Sequence, residues 1–449
     1  MKTAFSLHRK LDTLRKKYPA FIYQKYSYRI KSGNLKISFC FKIEPDIVFK
    51  PRIVIKNIPE GRLGKIRALS STETLNASHL DKKALNNFVF HLGLMEIPSY
   101  WKTTCSPEII IRAGAPDKDQ AAWWRNLIIK SMGQFFYENK IDWREPDFLK
   151  ISVNPSISAP ALGTTDLELK EGYLIPVGGG KDSIVTLNLL KEKDERINCF
   201  LLNPSRAAKK TVKIAGLKSP IIVERKIDQG LLTLNAKGYL NGHTPFTAVL
   251  SFLSVFCAVL FDYKNIAFSN EKSANEGNVI YFGKSINHQW AKTSEFEKMF
   301  RIYSQKYLAK NINYFSYLRK YTELQIAKMF AKYPKYFPAF SSCNKGLKTG
   351  EKWCGYCPKC LFVYLMLYPF LTRKQLLVIF GKDLFEEKSL LSTLKSLLGQ
   401  GKHKPFECVG TYRETNEALR LSLAKAKKEG GQSLPYLLQK YDGIKRVKR

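Results

Sequence analysis

Acidic side chains are scarce in this sequence. Only 38 Asp and Glu stand against 74 Lys and Arg, a formal net charge of +36 over 449 residues. Arginine is scarce as well, at 19 residues against 55 lysines. It is the better residue for bidentate phosphate and base-edge contacts, so the basic excess alone argues weakly for nucleic acid. Long apolar runs are missing: the longest, Phe246 to Phe261, has 16 residues and includes Thr247, Ser251, Ser254 and Cys257. A spanning helix needs about 20, so this run reads as a core helix. The first 21 residues hold no apolar stretch of signal-peptide length. Nine cysteines are too few for the disulfide framework of a small secreted domain. These absences predict a cytoplasmic protein with no membrane partner. What remains is a globular composition, 45% hydrophobic and 13% aromatic, which excludes a disordered chain and predicts about two or three domains.

Leu35 to Ile43 and Asp46 to Lys56 read as strands, and the apolar spacing of Ala121 to Asn139 reads as a helix. Asn154 to Thr165 is turn-rich and marks a boundary. An α/β rhythm follows. Gly172 to Val177, Asn198 to Leu202, Ile221 to Glu224 and Asn265 to Phe268 read as strands, with helices over Ser183 to Lys193 and Pro245 to Phe261. Glu295 to about Tyr336 reads as helical and basic. This alternation predicts an α/β protein with a doubly wound parallel sheet, whose ligands sit beyond the carboxyl ends of the strands. The expected units are an N-terminal α+β domain (residues 1–160), the α/β domain (161–375) and a helical C-terminal segment with a basic tail (376–449).

The sharpest motif, Val177-Gly178-Gly179-Gly180-Lys181-Asp182-Ser183, lies between a strand and a helix. Three glycines let the backbone approach an anion, and the helix adds its positive end. It is not a Walker A loop, because Asp182 follows the lysine. It resembles the pyrophosphate-binding PP-loop, usually Ser-Gly-Gly-x-Asp-Ser, with Gly178 in the place of the serine. Asn203 ends the next strand, where that fold usually meets adenine. The loop from Ser269 to Asn278 packs Asn270, Glu271, Lys272, Asn275, Glu276 and Asn278 together, and His288 and Glu295 follow. A histidine such as His288 suits acid–base work, since its ordinary pKa is about 6.5. His243 lies just before the long apolar helix, for which Thr244 reads as the N-cap.

Five cysteines, Cys40, Cys105, Cys199, Cys257 and Cys408, are dispersed, whereas Cys343, Cys354, Cys357 and Cys360 cluster. Four thiolates suit a closed tetrahedral zinc site with no position open to substrate. An iron–sulfur cluster uses the same C-x2-C-x2-C spacing.

Taken in order, several blocks resemble the UDP-N-acetylmuramoyl-L-alanyl-L-glutamate epimerases of the MurL type. They are Ser99 to Lys102 with Cys105-Ser106-Pro107, the Ala122-Trp123-Trp124 and Phe135-Phe136-Tyr137 helix, and Pro176 to Ser183. Asn241 to Phe246, Phe268 to Glu297 and Trp353 to Cys360 complete the set. The resemblance implies ATP- and Mg²⁺-dependent inversion of the terminal L-glutamate of UDP-MurNAc-L-Ala-L-Glu, through an acyl-adenylate, with AMP and pyrophosphate released. It implies a PP-loop fold of the adenine nucleotide alpha-hydrolase-like type over residues 161–375. Gly178, Gly179, Gly180, Lys181, Asp182, Ser183 and Asn203 would bind ATP, with Asp182 a candidate for magnesium. Asn270, Asn275, Asn278 and His243 would bind substrate, and the four clustered cysteines a structural zinc. The proton-transfer pair is expected among Glu271, Lys272, Glu276, His288 and Glu295, with Cys105 an outside candidate. Two other classes share some features: a zinc-containing PP-loop ligase or tRNA-modifying enzyme, and a non-catalytic zinc protein that binds nucleic acid.

Overall fold

A computed structural model describes residues 2–62, 80–156, 159–350, 352–429 and 433–442. The basic tail read at residues 443–449 lies outside the described residues. The strands are β1 (Ala20–Lys31), β2 (Asn34–Ile43), β3 (Ile47–Phe49), β4 (Arg52–Ile55), β5 (Glu108–Ile111) and β6 (Lys150–Val153). They continue with β7 (Tyr173–Pro176), β8 (Ile197–Leu202), β9 (Ile221–Lys226), β10 (Asn265–Phe268), β11 (Val279–Tyr281), β12 (Lys284–Ile286) and β13 (Asn313–Ser316).

The first two strands form a hairpin because Ser32 and Gly33 both take positive φ, 50° and 68°, the backbone that a tight two-residue turn requires. Along β2, Leu35, Ile37, Phe39, Phe41 and Ile43 alternate into the core, as their period of two predicts. The strand read at Asp46 to Lys56 is divided at Lys50-Pro51 into β3 and β4, since proline offers no N–H to a ladder.

One sheet runs in the order β13-β10-β7-β8-β9-β4-β2-β1-β5-β6, with β3 beside β2. From β13 to β9 every pairing is parallel. The pairs β9–β4, β4–β2 and β2–β1 are antiparallel, and β1, β5 and β6 are parallel again. The protein is therefore α/β with a mostly parallel central sheet. The loops after β7, β8, β10 and β13 all leave it on the same edge.

The apolar run is the Phe246–Phe261 helix, buried against the Lys82–Trp101 helix, with Phe88 and Phe256 stacked at 4.8 Å between ring centroids. Among the described residues no helix is long and apolar enough to cross a membrane. One hydrophobic core runs from Leu11 to Tyr314 beneath both halves of the sheet. A second, mostly from Leu318 to Leu438, joins the C-terminal helices.

Three local expectations are corrected. The stretch from Glu295 to Tyr336 is not continuously helical: β13 interrupts it and pairs with β10, a long-range match without local signature. The helix read over Ala121 to Asn139 starts earlier, at Lys118, under an Asp117–Gln120 capping box, and breaks at Met132. Thr244 does not cap the apolar helix. Pro245 occupies that position and supplies no side-chain bond.

Candidate active site

The glycine-rich loop joins β7 to the Lys181–Lys191 helix. Gly179 has a φ of +92°, and a Cβ there would lie 2.7 Å from the Ala208 nitrogen and 2.8 Å from the Ala207 carbonyl carbon. Glycine is therefore required by both conformation and space. At Gly178 a Cβ would meet nothing within 4 Å, so the serine usual in the PP-loop would fit. Gly180 caps the helix without a side chain, leaving the first backbone N–H groups without a side-chain cap. Lys181 is buried and forms ion pairs with both Asp182 and Glu323. Burial disfavours the charge on Lys181, but the two carboxylates overcome it and hold the ammonium above its usual range. Asp182 resists its own burial through Lys181 and Lys359 and stays below the ordinary carboxylate range. Glu323 loses that contest: burial, with Asp182 and Glu271 nearby, raises its carboxyl to about 7 in spite of Lys181.

The loops after β10 and β13 bring a second group of ionisable side chains to this edge. Glu271 is 4% exposed, and its carbonyl oxygen accepts from Arg319 at 2.8 Å. His288 is held from two directions. Its N–H donates to Asn278 Oδ1 at 2.7 Å, and its Nδ1 lies 2.5 Å from Gln134 Oε1. The His243 ring stands 4.6 Å from that of His288. Burial, with His288 and Lys102 adjacent, lowers the His243 pKa to about 3, so it is neutral at pH 7. Lys102 donates to Asn241 Oδ1 at 2.7 Å and the Gly242 carbonyl at 3.0 Å, and burial brings its ammonium down to about 8.

The C-terminal segment closes over these loops. Lys404 pairs with Glu276 at 3.1 Å, and Asn278 Nδ2 donates to the Pro405 carbonyl at 2.7 Å. Lys359 donates to the Cys408 carbonyl, Lys292 Nζ lies 3.4 Å from Cys408 Sγ, and the Glu323 N–H donates to Glu414 at 2.8 Å.

The four clustered cysteines meet as their spacing predicts, with all four sulfurs within 4.8 Å of one another. Three separations are 3.8, 3.7 and 3.5 Å. This cluster could hold a metal ion, and it also supports the site. The Ser341 N–H, two residues before Cys343, donates to the Gly179 carbonyl at 3.0 Å. Lys359 lies between Cys357 and Cys360.

The residues singled out in the sequence do not all converge. Glu271 and His288 join the inner group. Asn270 donates to Ser316 Oγ at 3.0 Å beneath it. Lys272 and Asn275 are exposed, and Asn275 Oδ1 accepts from the Ser294 N–H. Asn278 positions His288, and Glu276 pairs with Lys404. Glu295 pairs with Lys130 and accepts from Trp290 at the surface. Asn203, at the end of β8, holds Arg225 through two bonds of 2.8 Å. Sequence reasoning missed Lys292, Glu323, Lys359 and Cys408. Lys292 and Lys359 lie inside blocks read for other residues, Glu323 and Cys408 lie outside them, and no local spacing connects the four.

Residues 12–317 match the family model described as the MurL N-terminal domain, and residues 339–448 the MurL C-terminal domain. The chain is similar to a UDP-N-acetyl-alpha-D-muramoyl-L-alanyl-L-glutamate epimerase of Xanthomonas oryzae pv. oryzae. They are 35% identical over 341 residues, covering 75% of this chain and 74% of the relative. Proteins of the same name from a Micromonospora species and from Salinispora tropica are 36% and 35% identical. They cover 72% of this chain in each case, and 72% and 70% of their own lengths.

Proposed function

Because the chain belongs to the MurL family of epimerases and is an isomerase, we propose that it inverts the terminal L-glutamate of UDP-MurNAc-L-Ala-L-Glu. The inversion would give D-glutamate in a cytoplasmic step of peptidoglycan precursor synthesis, at the expense of ATP. The carrying observation is the meeting, on one edge of the sheet, of a glycine-rich strand-to-helix loop with a buried cluster of acids, lysines and histidines.

The chemistry explains why both halves are needed. The α-proton of a glutamate carboxylate is very weakly acidic, because its removal sets a second negative charge beside the first. Adenylation removes the first charge and leaves an electron-withdrawing mixed anhydride. An enzyme base then takes the α-proton, a proton returns to the opposite face, and water cleaves the adenylate. In this reading Gly178 to Ser183 form a PP-loop around the phosphates, within an adenine nucleotide alpha-hydrolase-like domain. Lys181, fixed between two carboxylates, offsets charge that develops as the pyrophosphate departs. Asp182, still ionised and partly open, fits a hard oxygen ligand for Mg²⁺, which would neutralise phosphate charge. In the same reading Asn203 would meet adenine, and His243 and Asn270 the substrate. Among the acids and bases expected from the sequence, we take Glu271 and His288, which join the inner group, as the candidates for proton transfer.

The cysteine cluster is read as a structural zinc site. Zinc–sulfur bonds of about 2.3 Å in a tetrahedron separate the sulfurs by about 3.8 Å, close to the three separations above. In a four-iron cluster each thiolate binds a different iron, which would spread the sulfurs farther apart.

Incubation with ATP, Mg²⁺ and UDP-MurNAc-L-Ala-L-Glu, followed by acid hydrolysis and chiral analysis of glutamate, tests the proposal. D-glutamate and one equivalent of AMP are expected. Unchanged L-glutamate from folded, zinc-loaded protein would overturn it.

A further inference from the structure

Cys408 is the one dispersed cysteine that the fold carries to the edge of the sheet. It lies on the segment that closes over the β10 loop, where the Lys359 ammonium grips its carbonyl oxygen. Its sulfur is 3.4 Å from Lys292 Nζ, and His288 acts on it electrostatically. A backbone held at one end and a sulfur paired with a cation at the other is an arrangement that packing alone does not require. We propose that Cys408 is a proton-transfer residue of this site: its sulfur takes the α-proton of the activated glutamyl residue, with Lys292 balancing the charge and His288 relaying the proton.

The inference rests on the epimerase reading and adds a residue to it. A sulfur lone pair of the Cys408 thiolate forms the S–H bond, and the electrons of the broken Cα–H bond pass into the carbonyl of the activated carboxyl group. Solvent then supplies a proton to the opposite face, and those electrons return to form the new Cα–H bond. The thiol passes its proton to the neutral form of His288 and from there to solvent, while the Lys292 charge restores the thiolate. An amide oxygen only accepts, so the His288 Nδ1 facing Gln134 Oε1 carries the proton, and Nε2 is the ring nitrogen left to accept a second one.

Glu271 points to a ligand at the same place. At 4% exposure its carboxylate accepts no hydrogen bond among the described residues, and it acts electrostatically on Lys292. Its oxygens are not among the fully buried unpartnered atoms, so they keep access to solvent and stand open to a donor on a bound group.

The other dispersed thiols set the contrast. Burial pushes Cys105 and Cys199 up to about 12, and Cys257 is raised further by the same cause. Cys408 also lies deep among protein atoms, but Lys292, His288 and Lys359 overcome burial and bring it down to about 6. Lys292 is raised in turn, against its own burial, by Cys408 and by Glu271 and Asp182.

The test uses the full-length, zinc-loaded protein in D₂O with ATP, Mg²⁺ and UDP-MurNAc-L-Ala-L-Glu. Wild type should invert glutamate with deuterium at Cα. Cys408→Ser and Cys408→Ala should lose inversion and α-deuteration by about 10²-fold or more, while substrate-dependent ATP–pyrophosphate exchange stays within a few-fold of wild type. In parallel, iodoacetamide labelling of Cys408, read by mass spectrometry without substrate, should reach half its maximal rate near pH 6 in wild type. That midpoint should move upward in Lys292→Met. Wild-type inversion rates in both Cys408 variants, or labelling with the ordinary thiol midpoint of about 8.5, would overturn the proposal. If wild type itself neither exchanges pyrophosphate nor inverts glutamate, the epimerase reading falls, and this proposal with it.

Discussion

Replacing Glu323 with Gln tests the electrostatics of the phosphate loop with a signed magnitude. The Glu323 side chain is 2% exposed and pairs with Lys181. Its carboxyl is raised from 4.5 to about 7, chiefly by burial. Between those two pH values the folded chain keeps a proton that the unfolded chain has released. The associated stability is complete below pH 4.5 and is lost as the pH rises through about 7. Each pH unit inside that window is worth ~1.4 kcal/mol, so the whole passage removes about 3 kcal/mol. Glutamine is nearly isosteric and does not ionise, and Lys181 keeps Asp182 as its partner. Relative to wild type, Glu323→Gln should therefore gain about 3 kcal/mol between pH 4.5 and pH 8. Urea unfolding of metal-loaded protein at pH 5, 6, 7 and 8 reads the difference. Parallel stability–pH curves for the two proteins would refute a carboxyl held near neutrality by burial.

Gly179→Ala places a Cβ within 2.9 Å of Ala207 and Ala208 at a φ of +92°. The backbone strain alone is worth about 1–3 kcal/mol, and ATP–pyrophosphate exchange should fall at least tenfold. Gly178→Ser enters open space and should keep that exchange; equal loss in the two variants would dismiss the loop geometry. Asp182→Ala should abolish ATP-dependent inversion while the protein stays folded by circular dichroism, and retained turnover would remove Asp182 from the phosphate site. Cys360→Ser should cut bound zinc from one per chain, measured by elemental analysis. It should also weaken nucleotide binding, because Ser341 and Lys359 flank the cluster and brace the glycine loop and the 408 segment. Full zinc content in that variant would contradict the four-sulfur site.

The excess of positive charge has a limited part in this picture. Lys102, Lys181, Lys292, Lys359 and Lys404 are the lysines described at this edge, and each faces a carboxylate, a sulfur or a carbonyl. The MurL family and an ATP-using reading call for a few placed cations rather than a basic surface.

What the sequence determined by itself was local. The period of two along β2, the glycine loop between a strand and a helix, and the cysteine knuckle each place their partners within a few turns of chain. Short-range sterics or ligand spacing then decide the outcome. The resemblance to the family was legible for the same reason, as an ordered set of such blocks. What the tertiary structure decided was everything that depends on distant chain meeting. The Lys82–Trp101 helix was illegible because it is buried on all sides and has no polar face to set a period. β13 needed β10 beside it. Glu323 lies 142 positions from Lys181, and Cys408 lies 116 from Lys292. At such separations no spacing rule applies. Burial and the neighbouring charges that set an acid near neutrality, or a thiol below it, exist only once the C-terminal segment has packed over the edge of the sheet.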